Sequence, residues 1–248
     1  MLLTVISPTA DILGDPTKPR AIGKNDSQLI YGEQFHAEES HGAYVFGQSV
    51  TDGYKGYIER EQLVKNAPTP THKIKVCATH LYPEPSFKSR PFMPLSFLSC
   101  LTSIDQHENN FTKLHDGNWV FSDHIAEIEN FKMPNDIAST AELFLGTPYL
   151  YGGRSSLGID CSGLVQLCIY AGGYDCPPRD ACDQEDSFGK PISRNLQRND
   201  VVYFKGHVGI MIDDKNIINA TARHMTTLIE PLIDVEKTYK GITHIARL

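Results

Sequence analysis

Near residue 130 the sequence changes from short strand-like runs to helix-length periodicity, and that switch makes this a multidomain chain. Before it, Leu2–Ile6, Gln28–Ala37, Ala43–Gln48 and Gly56–Ile58 read as short strands between Gly, Pro, Asn and Asp turns. A Pro/Thr linker, Ala67–Thr71, precedes a second set at Lys73–Thr79, Phe97–Leu101, Phe111–Leu114 and Asn118–Val120. Strands this short favour small all-β barrels over one sandwich. Residues 1–66 and 72–128 therefore read as two copies of one small module.

After Met133 the pattern is helical. Asp136 is placed to cap a helix running through Ile137, Ala141, Leu143, Phe144 and Leu145, stopped by Gly146 and Pro148. A Gly-rich loop leads to a second helix from Cys161 to Ala171, closed by Gly172–Gly173. Strands are expected at Asp200–Phe204, His207–Ile212 and Asn216–Thr221. Helices followed by consecutive strands indicate an α+β domain over 134–248 with an antiparallel sheet.

The 248 residues carry a formal charge of −7, which argues against nucleic acid or an anionic membrane as a partner. No stretch approaches the roughly 18–20 apolar residues of a membrane span. The amino terminus, MLLTVISPTA, lacks the basic region of a secretory signal, so a cytoplasmic location is expected. The six cysteines, Cys77, Cys100, Cys161, Cys168, Cys176 and Cys182, show no CxxC pair and read as thiols.

One thiol stands apart. Cys161 begins a helix, where unpaired amides and the helix dipole stabilise an anion, lowering a thiol pKa and receiving a developing oxyanion. Cys168 lies two turns on, within the apolar stripe, and reads as core. His207 opens HVGIMI, sharing a strand face with Gly209 and Met211, while Val208, Ile210 and Ile212 take the other and face the core. That leaves His207 beside a glycine, on a face open to close approach. Twelve positions on, Asn219 is placed for an antiparallel return beside His207, where it can hold the imidazole tautomer of a Cys-His-Asn triad. Each of these residues also has a plain structural reading.

TPYLYGGRSSLGIDCSGLVQ (147–166), LQRNDVVYFKGHVGIMI (196–212) and NIINAT (216–221) resemble the core motifs of NlpC/P60 cysteine peptidases. The paired β modules resemble bacterial SH3 (SH3b) domains in LIYGEQF and DGYKGYIEREQL. The resemblance implies two SH3-like barrels before a papain-like catalytic domain, an architecture similar to γ-D-glutamyl-L-diamino acid endopeptidases of murein peptides. It implies Cys161 as nucleophile, His207 as base and then acid, and Asn219 as third polar residue, where many relatives carry His. His224 is an alternative orienter outside the matched position.

Further roles follow from the same resemblance. Tyr149 assists the oxyanion or simply packs beside Pro148. Asp160 and Ser162 bind the amine of an N-terminal L-Ala, and Asp160 is equally a helix N-cap. In PPRDACDQ (177–184), Arg179 and Asp180 line the cleft, or Arg179 pairs with a surface acid. Tyr54, in the DGYKGY turn, closes one end of the cleft, while Tyr44 and Tyr57 pack into the barrel. The implied activity is cleavage between γ-D-Glu and the diamino acid of free murein peptides, in cell-wall recycling. No metal or organic cofactor is required. Lys and diaminopimelate both fit as the diamino acid, and the sequence does not fix an oligomeric state. The rival readings are a secreted hydrolase of intact wall and a wall-binding SH3b protein with a non-catalytic scaffold.

Overall fold

The computed structural model describes residues 1–17, 27–131, 133, 136–187, 189–192 and 195–248. Contacts divide the chain into two units, Met1–Phe131 and Lys132–Leu248. The expected start of the third block, residue 134, lies outside the described residues.

The first unit holds two separate hydrophobic clusters. In one, a five-stranded sheet runs in the order Lys55–Glu59, Tyr44–Ser49, Gln34–His41, Leu2–Val5, Leu63–Lys65, beside the hairpin Thr9–Ile12/Ser27–Ile30. Alternation turns Leu3, Val5, Phe35, Val45 and Ile58 into a common core. Inward positions of the Tyr44–Ser49 and Lys55–Glu59 strands go to Val45, Gly47, Ser49, Gly56 and Ile58. Tyr44 and Tyr57, expected inside the barrel, consequently lie half-buried on its outer side, where Tyr57 meets the rings of Phe46 and His41. Tyr54 is the tyrosine that packs against this core.

The second cluster gathers Ile74, Leu81, Leu95, Leu101, Leu114, Val120 and Ile125 from strands between His72 and Glu127. Two runs read as single strands are broken. Gln28–Ala37 splits into Ser27–Ile30 and Gln34–His41 at a turn where Gly32 has φ +80°, and a Cβ there would lie 2.1 Å from the Cys100 carbonyl oxygen. Lys73–Thr79 splits into His72–Ile74 and Ala78–Leu81, and in Phe97–Leu101 only Cys100–Leu101 is strand.

The second unit is built on a six-stranded antiparallel sheet. Its order is Lys190–Pro191, Ile242–Arg247, Val201–Phe204, His207–Met211, Asn216–Thr221, Thr226–Pro231. Helix α1 is Ile137–Glu142, shorter than the expected run to Leu145, with the Asp136 side chain accepting from the Ser139 amide at 3.2 Å. Helix α2 is Cys161–Ala171, buried at every position but Tyr170. Helices α3 (Ala181–Ser187) and α4 (Leu232–Tyr239) complete the unit.

Both faces of the His207–Met211 strand are buried. Met211 packs with Val202, Phe204, Ile217 and the α4 residues Leu232 and Val235, while α1 and α2 pack on the same strands. The face expected to be open is therefore covered by α4. Gly209 admits a neighbour, but a protein one: a Cβ there would lie 2.8 Å from Ile217 Cδ1.

Candidate active site

Helix α2 starts at Cys161 because Asp160 caps it, accepting from the Gly163 amide at 2.7 Å. The next residues demand a close approach. A Cβ on Gly163 would lie 2.5 Å from the Gly153 carbonyl oxygen, so only glycine lets α2 lie against that loop. The Cys161 sulfur thereby reaches the start of the neighbouring strand, within hydrogen-bonding range of the Val208 amide as well as that of Ser162.

His207 opens that strand with its ring buried. Its Nε2 lies 2.8 Å from Asn219 Oδ1. An amide oxygen accepts, so Nε2 carries the proton and Nδ1 is left as the base. Tyr239, at the end of α4, stacks on the imidazole with centroids 4.4 Å apart and planes 5° apart. Its hydroxyl is hydrogen-bonded to Thr221. Tyr239 covers the His207–Asn219 pair, and no sequence signal marked it, since α4 joins the site only through the fold.

Burial dominates the electrostatics. It pushes the Cys161 thiol up to about 12, with the Asp160 charge adding to the rise, against the amides of Val208 and Ser162 and the Arg179 cation. The lowering expected from the helix terminus is outweighed because the group is only 8% exposed. Burial likewise drives His207 down to about 4, opposed by its bond to Asn219 and by the Glu230 carboxylate. Either group charged alone is costly. Were a proton to pass from the sulfur to Nδ1, both charges would form together and each would offset the other.

Asp160, Ser162 and Arg179 form one buried knot. Asp160 Oδ2 accepts from the Gly152 amide and from Arg179 Nη2, both at 2.8 Å; Oδ1 accepts from Gly163 and, at 3.3 Å, from the Ser162 hydroxyl. Arg179 Nη1 donates to Ser162 Oγ at 2.8 Å. Arg179 does pair with an acid, but an interior one, its side chain being 1% exposed. Asp180, half-buried, stands just before α3, its carbonyl accepting from the Gln184 amide.

Tyr149 is half-buried, and burial together with the neighbouring Cys161 and Asp160 raises its phenol. A parallel backbone bridge sets Tyr149 against Ile159, two residues before Cys161. His224 is half-exposed and reaches Glu230 at 4.0 Å, so the orienting contact to His207 is made by Asn219. Tyr54 belongs to the first unit.

Comparisons with known proteins give the family of the chain. Residues 146–241 match the model of the NlpC/P60 family, and residues 17–63 match that of the bacterial dipeptidyl-peptidase Sh3 domain. The chain is 30% identical over 220 residues to a gamma-D-glutamyl-L-lysine dipeptidyl-peptidase of Bacillus subtilis, covering 78% of this chain and 71% of that protein. A protein of the same name from Bacillus cereus is 25% identical over 242 residues, 84% of this chain and 71% of that one. The crystal structure of an NlpC/P60 family protein from Bacillus cereus superposes with a TM-score of 0.84 at 20% identity, over 100% of this chain and 99% of that one. A buried cysteine at a helix start, a histidine and an asparagine thus sit in a chain matched across most of its length, and the chain belongs to the NlpC/P60 family of cysteine peptidases.

Proposed function

We propose that this enzyme cleaves short murein peptides between γ-D-Glu and the diamino acid, releasing L-Ala-γ-D-Glu from substrates with a free amino terminus. The observation that carries the reading is the pairing of the Cys161–His207–Asn219 site with a module of the bacterial dipeptidyl-peptidase Sh3 type. The named activity of the two Bacillus relatives supports it. The separate core of residues 72–128 supports a second SH3-like module after the first. The six cysteines show no CxxC pair in the sequence, a pattern that fits a reducing compartment, so we place the activity in the cytoplasm, acting on recycled peptides.

The chemistry follows from the tautomer. Cys161 Sγ attacks the γ-glutamyl carbonyl carbon as its proton moves to His207 Nδ1. The oxyanion forms at the start of α2, where backbone amides and the Tyr149 hydroxyl are at hand. Collapse breaks the C–N bond, and His207 returns the proton to the departing amine. Water, deprotonated by His207, then hydrolyses the thioester and restores the thiol. Asp160, already holding α2 and Arg179, adds recognition of the substrate amine in this reading, with Ser162.

The test is hydrolysis of L-Ala-γ-D-Glu-L-Lys and of its diaminopimelate counterpart by the purified protein, followed by mass spectrometry. The dipeptide L-Ala-γ-D-Glu is expected from at least one, no product from Cys161→Ala, and at least about tenfold slower cleavage once the amine is acetylated. Equal turnover by Cys161→Ala, or no dipeptide from either substrate, overturns the proposal.

A further inference from the structure

The pairing of His207 with Asn219 leaves one question open: what decides which end of the asparagine amide faces the imidazole. With Nδ2 turned toward the ring, Nε2 would have to accept, the proton would sit on Nδ1, and His207 could not take the thiol proton. Asn219 alone does not choose, because the two ends of an amide are nearly the same shape. The choice is made one strand further out. Asn219 Nδ2 donates to Glu230 Oε1 at 3.0 Å, deep in the structure, Asn219 being fully buried and Glu230 8% exposed.

A carboxylate accepts and never donates. Glu230 therefore draws Nδ2 to itself and leaves Oδ1 for His207. The carboxylate is held in turn. Arg223 Nη2 donates to Glu230 Oε2, and Arg223 Nη1 donates to Thr238 Oγ1 on α4 at 3.2 Å. In the sheet, Asn219 pairs with Leu228 and Ile217 with Glu230, so Asn219 and Glu230 are diagonal neighbours on one face. That face is the one α4 covers, through Tyr239 on His207.

We propose that Glu230, anchored by Arg223, is a positioning residue of the active site: by fixing the Asn219 amide it sets the His207 tautomer that makes Nδ1 the base. The proposal rests on the reading of Cys161, His207 and Asn219 as the catalytic set. It accounts for the use of asparagine at position 219. A neutral amide brings no charge toward the imidazolium, and Glu230 supplies one from behind it, acting through the amide.

The charged and titratable groups that act on His207 are Asp160 at the start of α2, Tyr239 on α4, and Glu230 with Arg223 on the far side of Asn219, while the Cys161 sulfur reaches the amide of the next residue, Val208. His224, 4.0 Å from Glu230, faces the carboxylate and not the ring. Glu230 and Arg223 act on His207 with opposite signs, the carboxylate favouring the imidazolium and the guanidinium opposing it. That opposition gives a signature that a merely structural role would lack.

The experiment uses the full chain and two variants, Glu230→Gln and Arg223→Met. Imidazole 15N NMR, recorded in a Cys161→Ala background so that the thiol does not titrate, reports the tautomer and titration of His207. Iodoacetamide alkylation of Cys161, and kcat and KM on the tripeptide, are measured with Cys161 intact. Glu230→Gln is expected to mix the two tautomers, move the His207 titration to lower pH, and slow both alkylation and kcat about tenfold or more with KM nearly unchanged. Arg223→Met is expected to move the titration to higher pH, and Glu230→Asp to recover part of the lost rate. If Glu230→Gln does not fold, the Arg223→Met shift decides.

A folded Glu230→Gln with the wild-type tautomer and alkylation rate overturns the proposal. So does an Arg223→Met titration that stays put or moves down. NMR and alkylation need no peptide, so failure to cleave murein peptides refutes the proposed substrate and leaves this inference standing.

Discussion

His207 carries an imidazole that is neutral in the folded protein well below its usual range. Burial holds it near 4 against an ordinary 6.5, while the unfolded chain offers a hydrated ring. Between these two values the unfolded state binds a proton that the native state refuses. This contribution to stability is therefore intact above about pH 6.5, falls as the pH drops toward 4, and levels off below it. The separation corresponds to about 3 kcal/mol. Urea midpoints of wild type and His207→Gln between pH 4 and 7 check it: the variant should show the flatter dependence, and parallel curves would refute the assignment. At this scale the sequence was legible where local spacing carries chemistry. Cys161 before a helix and His207 at a strand start could be read in line. Glu230, Arg223 and Tyr239 could not, because each reaches the site through strand pairing or helix docking that no local motif encodes. The raised thiol was hidden for a related reason, since a helix terminus is visible in sequence but the exclusion of water around it is not.

At the scale of elements, the start of α2 shows how one side chain can hold a site together. The Asp160 carboxylate caps the helix, ties down the Gly152 loop and neutralises a guanidinium that water hardly reaches. Removing it takes away the carboxylate that faces the buried Arg179 guanidinium. Asp160→Ala is expected to cost about 3–5 kcal/mol, and the double variant with Arg179→Met less than that, because the buried charge goes too. Equilibrium urea unfolding of the three proteins measures both numbers, and a double variant no more stable than Asp160→Ala would contradict the account. The helix itself was legible from Cys161 to Ala171, since its apolar spacing and the Gly172–Gly173 stop both lie in one stretch. The Gln28–Ala37 run misled because hydrophobic content continued across Gly32, whose positive φ and tight approach to Cys100 reverse the chain. Its turn is set by packing against a distant segment. Strand Thr226–Pro231 and α4 carried no motif, yet they supply Glu230 and Tyr239.

At the scale of the whole molecule, every residue of the candidate catalytic set lies in Lys132–Leu248, while Met1–Phe131 has two hydrophobic cores of its own. Small cores are marginal, and each depends on a few large side chains. Phe35 is fully buried in the first of them. Truncating such a phenylalanine costs about 3–5 kcal/mol, comparable to all that a core of this size supplies. Phe35→Ala should therefore unfold the first barrel at markedly lower temperature. The thiol chemistry has its own foundation in the second unit, where α1 and α2 pack on the strands of its sheet and α4 contributes Leu232 and Val235 to its core. Calorimetry of Phe35→Ala should show an early transition absent from wild type. Iodoacetamide alkylation of Cys161, measured above that transition but below unfolding of the second unit, should stay within about twofold of the wild-type rate. Alkylation that fell in step with the early transition would mean that the reactive geometry depends on the barrel, and the second unit could not be counted as the sole source of the nucleophile's environment.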